Sequence, residues 1–232
     1  MTDRNRTLTT TAYALLGLLA IRPWTTYELA KQVARSLRLI WPRAESNVYE
    51  GPKALVAHGL ATARQEYVGR RPRTVYAITP AGRRALRRWR AEPGAGPSME
   101  FEALLKVLLG DASDKESLLV NIRAARDWAD RSQQICADLA RGYLQDGGPF
   151  PNRLPIISLT FPFLLEFAEL VERWSERAER EVNRWPDQPT PADTDLSEFE
   201  RAAALKPAPD VHTPNGSPRP ETATGAPFRA DS

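Results

Sequence analysis

The residues best suited to chemistry in this chain are basic and closely spaced. Gly69-Arg70-Arg71-Pro72-Arg73 brings three guanidinium groups into five residues. Upstream, Glu45-Ser46-Asn47-Val48-Tyr49 and then Lys53 supply two small polar side chains, a phenol and an ammonium. Guanidinium and ammonium groups hold phosphates, and short polar side chains at a helix start reach base edges or phosphates in a major groove. Tyr49 and Lys53 are four apart and share a helix face. For Tyr49, core packing and a contact to DNA are both open. Lys31 and Arg35, also four apart, are two further candidate phosphate contacts, with a solvated helix face as the alternative. A solvated loop is the bland alternative for Arg70, Arg71 and Arg73, but the proline beside them stiffens the tip that presents them.

Residues for catalysis are sparse. There are two histidines, His58 and His212, and no Gly-x-Ser-x-Gly, paired-cysteine or His-rich metal spacing. His58 precedes Gly59 and reads as a surface or cap residue. Glu166, Glu169, Glu172, Glu176 and Glu179 read as one solvated helix face, not as an acid–base pair. Gly94-Ala95-Gly96 has neither the strand nor the helix of a phosphate loop. No enzyme, cofactor or metal site is expected.

Charge is unevenly placed. Residues 1–92 carry 17 Lys+Arg against 6 Asp+Glu, or +11, and residues 93–232 carry 15 against 23, or −8. A basic first part suits a polyanion. Cys136 is the only cysteine, which excludes an intrachain disulfide and fits a reducing compartment. It falls on an apolar seam, where a buried thiol is expected. The longest uninterrupted apolar run, Ala14–Ile21, is eight residues, against about 20 for a membrane span. The expectation is a cytoplasmic protein with no membrane partner.

The elements that position these residues follow from caps and periodicity. Thr9, Thr10 and Thr11 offer N-caps to a helix whose Ala12, Leu15, Leu16 and Leu19 form one stripe. Thr25-x-x-Glu28 is a capping box opening a second helix, with Leu29, Ala30 and Val33 inward. A third helix is expected over about Ala44–His58, with Val48, Leu55 and Val56 inward and Gly59 as its stop. Gly51-Pro52 interrupts it. Either the helix kinks there, or its regular part starts near Pro52. Ala61–Val68 and Arg73–Ile78 are expected strands joined by a tip at Gly69–Pro72, and Thr79-Pro80 starts a fourth helix. The order is that of a winged helix-turn-helix.

Residues 93–98 are a linker by composition. Ser98 is expected to cap a helix carrying Phe101, Leu104, Leu105 and Leu108, and Ser113-x-x-Glu116 to box the next. That next helix, to about Gln145, spaces Leu118, Ile122, Ala125, Ala129, Ser132, Cys136, Leu139 and Tyr143 as a heptad seam. A last helix, from near Pro162 to Trp185, repeats the spacing with Leu164, Phe167, Val171, Trp174, Ala178 and Val182. Two long seams favour burial against a second copy, a homodimer, over the alternative of a monomeric antiparallel hairpin. From Pro186 onward 9 of 47 residues are proline. A disordered tail is expected there, with one short helix over Leu196–Leu205. The fold class is therefore mainly α with a small β-hairpin: a winged helix-turn-helix over 1–92, then an antiparallel long-helix dimerisation domain over 99–185, then a tail over 186–232.

Residues 8–90 resemble, by their motifs, the PadR family of transcriptional regulators, and the helical architecture extends the resemblance to 185. Ala12–Ile21 is similar to its first helix, and Tyr27-Glu28-Leu29 to its Gly-Tyr-Glu-Leu opening, with Thr26 in place of Gly. Tyr49, Leu55, Gly59 and Leu60 have the spacing of its Tyr-x-x-Leu-x-x-Leu-x-x-x-Gly-Leu, with Pro52 where the family usually has Leu. Val75-Tyr76-Ala77-Ile78-Thr79-Pro80-Ala81-Gly82 resembles its strand and turn. The resemblance implies a homodimeric, usually repressive regulator bound to double-stranded DNA at an inverted repeat. It also implies a small aromatic or cationic effector near the dimer interface, for which Trp24, Trp41, Trp128 and Trp174 are candidate lining residues. The competing reading is a winged-helix protein-interaction module whose basic wing meets an acidic partner.

Overall fold

In the computed structural model, residues 8–38, 40–110, 114–186, 189–190 and 194–205 are described. The chain divides into two compact units, Met1–Glu179 and Arg180–Ser232.

The first unit opens with α1 (Thr10–Ile21), capped by the Thr9 hydroxyl, which accepts from the Ala12 N–H. Leu15, Leu16, Leu18 and Leu19 are its buried face. A two-residue strand, β1 (Trp24–Thr25), follows, and then α2 (Thr26–Ser36). Thr25 and Glu28 form the expected capping box: the Thr25 hydroxyl accepts from the Glu28 N–H, and the Glu28 carboxylate accepts from the Thr25 N–H at 2.8 Å.

The third helix is shorter than its sequence implied. A 3-10 turn (Pro42–Ala44) leads through loose turns at 45–50 into α3 (Gly51–Ala57). The regular helix thus starts beside Pro52, where a missing N–H costs nothing. Pro52 is itself buried. Gly51 is needed for packing, since a methyl there would lie 2.3 Å from Leu15 Cδ1. At the other end Gly59 takes φ +70°, and the Leu60 N–H bonds back to the Leu55 carbonyl, closing the helix in a left-handed stop.

Strands β2 (Ala61–Val68) and β3 (Arg71–Ile78) form the wing, and β1 adds to the other edge of β3, giving sheet order β1-β3-β2, all antiparallel. Val68 pairs with Arg71, so the turn is only Gly69-Arg70, with Gly69 at φ +60°. Arg71, Pro72 and Arg73 belong to β3 and not to a longer tip. Helix α4 (Pro80–Ala91) is capped by Thr79, whose hydroxyl accepts from the Gly82 N–H. Leu15, Leu16, Leu19, Trp24, Leu29, Val33, Val48, Leu55, Tyr76 and Leu86 close the winged core.

Residues 93–101 have no regular structure, and α5 runs over Glu102–Leu108 with Phe101 at its N-cap. Ser98 is therefore not the cap. Ser113 lies outside the described residues. The next helix, α6 (Lys115–Asp146), is capped by Asp114, whose carboxylate accepts from the Ser117 N–H at 2.7 Å. Gly147, at φ +70°, ends it. Helix α7 (Leu154–Arg184) begins eight residues before Pro162, which it contains. The proline costs one backbone bond, but the apolar stretch on either side continues the helix through it.

Helices α6 and α7 lie antiparallel within one chain. Ala125, Ala129 and Val171 are buried together, Gln133 Nε2 donates to Glu172, and Arg123 and Arg126 both pair with Glu179. The α6–α7 turn packs back on the winged core, where Phe150 meets Trp24 edge-on at 6.0 Å.

The second unit holds the last turn of α7 and a short α8 (Ser197–Ala203), within the helix expected over 196–205. Arg201 pairs with Glu198 there. Most of the expected disordered tail lies outside the described residues.

Candidate nucleic-acid interface

The recognition segment exposes what it needs to. Along 43–53 only Ala44, Val48 and Pro52 are buried, and Gly51 is half-buried. Ser46, Asn47, Tyr49 and Lys53 all face solvent, and Tyr49 is 61% exposed, so it is not a core residue. The Arg43 carbonyl accepts from both the Ser46 hydroxyl and the Asn47 amide, each at 3.1 Å. These bonds hold the two small polar groups in a fixed cluster ahead of α3, on the turns and not on its regular part. Lys53 is 2.7 Å from Glu50, and that hydrogen bond raises its pKa. Its charge is thus partly answered within the chain. Arg43, three residues before Ser46, pairs with Glu100.

The wing divides its arginines in two. Arg73 lies across the ladder from Glu66 and pairs with it at 2.8 Å, and Arg64 binds the same carboxylate. Those bonds, Arg73 first, hold the Glu66 carboxyl below the usual range. Arg70 and Arg71 are exposed and, among the described residues, form no ion pair. They are the free charges at the tip.

Helix α2 adds a component. Lys31 and Arg35 are exposed, and the Lys31 ammonium lies 5.9 Å from the Tyr27 ring. Tyr27 is 73% exposed and lines a shallow cleft with Thr26, Arg73 and Thr74, between the start of α2 and the wing. Tyr27 is thus a further candidate interface residue.

Residues 15–88 match the model of the transcriptional regulator PadR-like family. The match marks this segment as similar to PadR-like regulators. The fold around it matches solved structures over nearly their whole length. Bacillus subtilis PadR in complex with operator DNA is 18% identical, with a TM-score of 0.62, covering 75% of this chain and 99% of that one. The smu.1604c protein of Streptococcus mutans is 16% identical at TM-score 0.65, covering 73% and 98%. The PadR-like regulator BC1756 of Bacillus cereus is 15% identical at 0.62, covering 77% and 98%. The B. subtilis protein has also been solved with p-coumaric acid (20% identical, TM-score 0.54, covering 76% and 100%). No protein with a curated description matches by sequence.

The remaining candidate residues fall into separate places. Trp24 and Trp41 belong to the winged core. The Trp24 indole N–H donates to the Leu18 carbonyl at 2.7 Å, and that of Trp41 to the Thr11 hydroxyl at 2.9 Å. Trp128 is elsewhere, in an aromatic cluster with Phe101, Phe167 and Trp174 at centroid distances of 5.7–6.3 Å. The three do not converge on one cavity. Phe101 and Phe167 join the cluster from positions expected to serve an apolar helix stripe and the seam.

Of the seam positions, Ile122, Ala125, Ala129 and Val171 are buried within the chain itself. The premise that a second copy must cover them does not hold, because small residues let α6 and α7 cover each other. Leu118, Leu139, Leu164, Phe167 and Trp174 are half-buried. The large apolar side chains left in solvent are others: Leu154, Ile156, Leu159 and Phe163 on α7, with Leu105, Leu108 and Leu109 around α5. This first half of α7 makes the helix long and apolar enough to cross a membrane by length and composition, a property the eight-residue run had hidden. Cys136 is buried, and burial pushes its thiol pKa up. Among the described residues no His/Cys/Asp/Glu group could hold a metal.

Proposed function

We propose that this chain is a cytoplasmic, homodimeric, sequence-specific DNA-binding regulator that represses transcription from an inverted-repeat operator. The observation that carries the reading is the combination of an exposed, pre-ordered Ser46–Asn47–Tyr49 segment with two unpaired arginines, Arg70 and Arg71, at a wing tip on a PadR-like domain. The complex of B. subtilis PadR with operator DNA supports it by analogy of fold. In this reading residues 1–92 bind DNA, 93–98 link, and 99–185 dimerise. Ser46, Asn47 and Tyr49 face bases, while Lys31, Arg35, Lys53, Arg70, Arg71 and Arg73 face phosphates.

The second copy docks on the apolar first half of α7, where Leu154, Ile156, Leu159 and Phe163 are exposed and costly to leave in water. A small aromatic or cationic effector is received by the Phe101–Trp128–Phe167–Trp174 cluster and releases DNA. The p-coumaric acid complex of B. subtilis PadR is the supporting precedent. The deciding experiment is a gel shift of the full chain on the intergenic DNA beside its own gene. Binding should prefer that fragment over random duplex by roughly a thousandfold or more and weaken steeply with salt. Equal affinity for both would end the regulator reading.

A further inference from the structure

Helix α4 carries Arg83, Arg84, Arg87, Arg88 and Arg90 and no acidic residue. All five are exposed, while Gly82, Ala85 and Leu86 are buried and Trp89 half-buried. At 100° per residue the five arginines occupy an arc of about 160°, opposite the buried face. Among the described residues none of them pairs with a carboxylate; Arg83 alone donates, to the Ala20 carbonyl at 3.4 Å. The helix is fixed at both ends. A methyl on Gly82 would meet the Leu60 carbonyl oxygen at 2.1 Å, so α4 starts hard against β2. Near its other end Trp89 stacks on Tyr13 at 5.0 Å with planes 7° apart. The row is therefore a rigid positive ridge.

We propose that this ridge is a second DNA-backbone surface, separate from the recognition segment and the wing, which holds duplex flanking the stretch those elements read. The inference rests on the DNA-binding reading above and extends it to a different face. Three features select duplex DNA over an acidic protein. The exposed face offers no apolar or aromatic anchor, which a protein interface core requires. Every cation is arginine, whose planar fork grips phosphate oxygens in pairs. From Arg83 to Arg90 the helix rises about 10 Å, a length over which duplex DNA presents roughly six charges. The ridge begins where β3 ends. The tip arginines are a full strand away, about 23 Å at 3.3 Å per residue. The flank must therefore curve toward α4 to reach it.

The test compares the full chain with Arg84→Gln/Arg87→Gln/Arg88→Gln and with the matching triple Lys variant, on random duplexes of about 15 and about 45 base pairs across a salt series. Removing three phosphate contacts should lower the salt slope on the long duplex by roughly 2–3 and weaken binding at least tenfold at about 0.1 M salt. The loss should be smaller on the short duplex, and the Lys variant should keep most of the slope. Unchanged circular dichroism verifies folding. An unchanged slope and affinity on the long duplex, with strong binding by the native chain, overturns the ridge while sparing the regulator reading. Loss of poly-glutamate binding with duplex binding intact overturns it in favour of an acidic protein. A native chain that binds no duplex at any salt overturns both.

Discussion

Gly51 shows how one residue sets the geometry of a recognition segment. It starts α3 and lets that helix lie against α1, because any side chain would collide with Leu15, which is fully buried. Gly51→Ala is expected to destabilise the fold by about 1–3 kcal/mol, the usual cost of overpacking, read as a melting temperature lower by several degrees. A melting temperature equal to or above that of the native chain would show that α3 can shift freely. The interruption at Gly51-Pro52 was visible in the sequence, but its cause was not, since the colliding partner is 36 residues away. Charge pairing was hidden for a related reason. Arg70, Arg71 and Arg73 look alike in a row. Only a two-residue turn at Gly69-Arg70 places Arg73 opposite Glu66 and leaves the other two free.

At the scale of elements, caps and heptads were legible because their signals are local. Thr9, the Thr25–Glu28 box and Thr79 all cap as their spacing implied. The 4-3 seam of α6 was also legible, but its complement was not. Burial of Ala125 and Ala129 needs only another helix, and periodicity does not say whose. The start of α7 was misplaced because a proline is a good first residue and a poor interior one, yet the helix runs through Pro162.

The α6–α7 pairing has a pH signature. Hydrogen bonds from Arg123, and then from Arg126, hold the Glu179 carboxyl below its usual value of 4.5. The ionised form is thus favoured by folding. Its stabilisation is complete above about pH 4.5 and is lost as pH falls through the lowered folded value. Glu28, held down first by the Thr25 N–H, contributes with the same sign. In Glu179→Gln the melting temperature should fall less steeply than in the native chain on acidification from about pH 5 to about pH 3. Identical slopes would mean the pair contributes nothing to stability.

At the scale of the molecule, the decisive feature is what the first unit leaves uncovered. Leu159 is 74% exposed, Phe163 63% and Leu108 72%. A monomer rarely shows several such side chains together, as Leu159 and Phe163 are one turn apart on α7, unless a partner covers them. Two copies joined there would hold two recognition segments at fixed spacing, and the second half-site would then bind as an intramolecular event. A stable joint of this kind needs roughly 1,200–2,000 Å² of buried surface. Leu159→Glu with Phe163→Glu places two charges there without touching the winged core. The expected outcome is a monomer by sedimentation equilibrium at micromolar concentration, with helicity retained. Affinity for a two-half-site duplex should fall a hundredfold or more, while affinity for a single half-site barely changes. A variant that still sediments as a dimer would move the joint to another face. If it sediments as a monomer yet binds the full site as tightly as the native chain, each copy reads its half-site alone, and the long helices do not set the spacing.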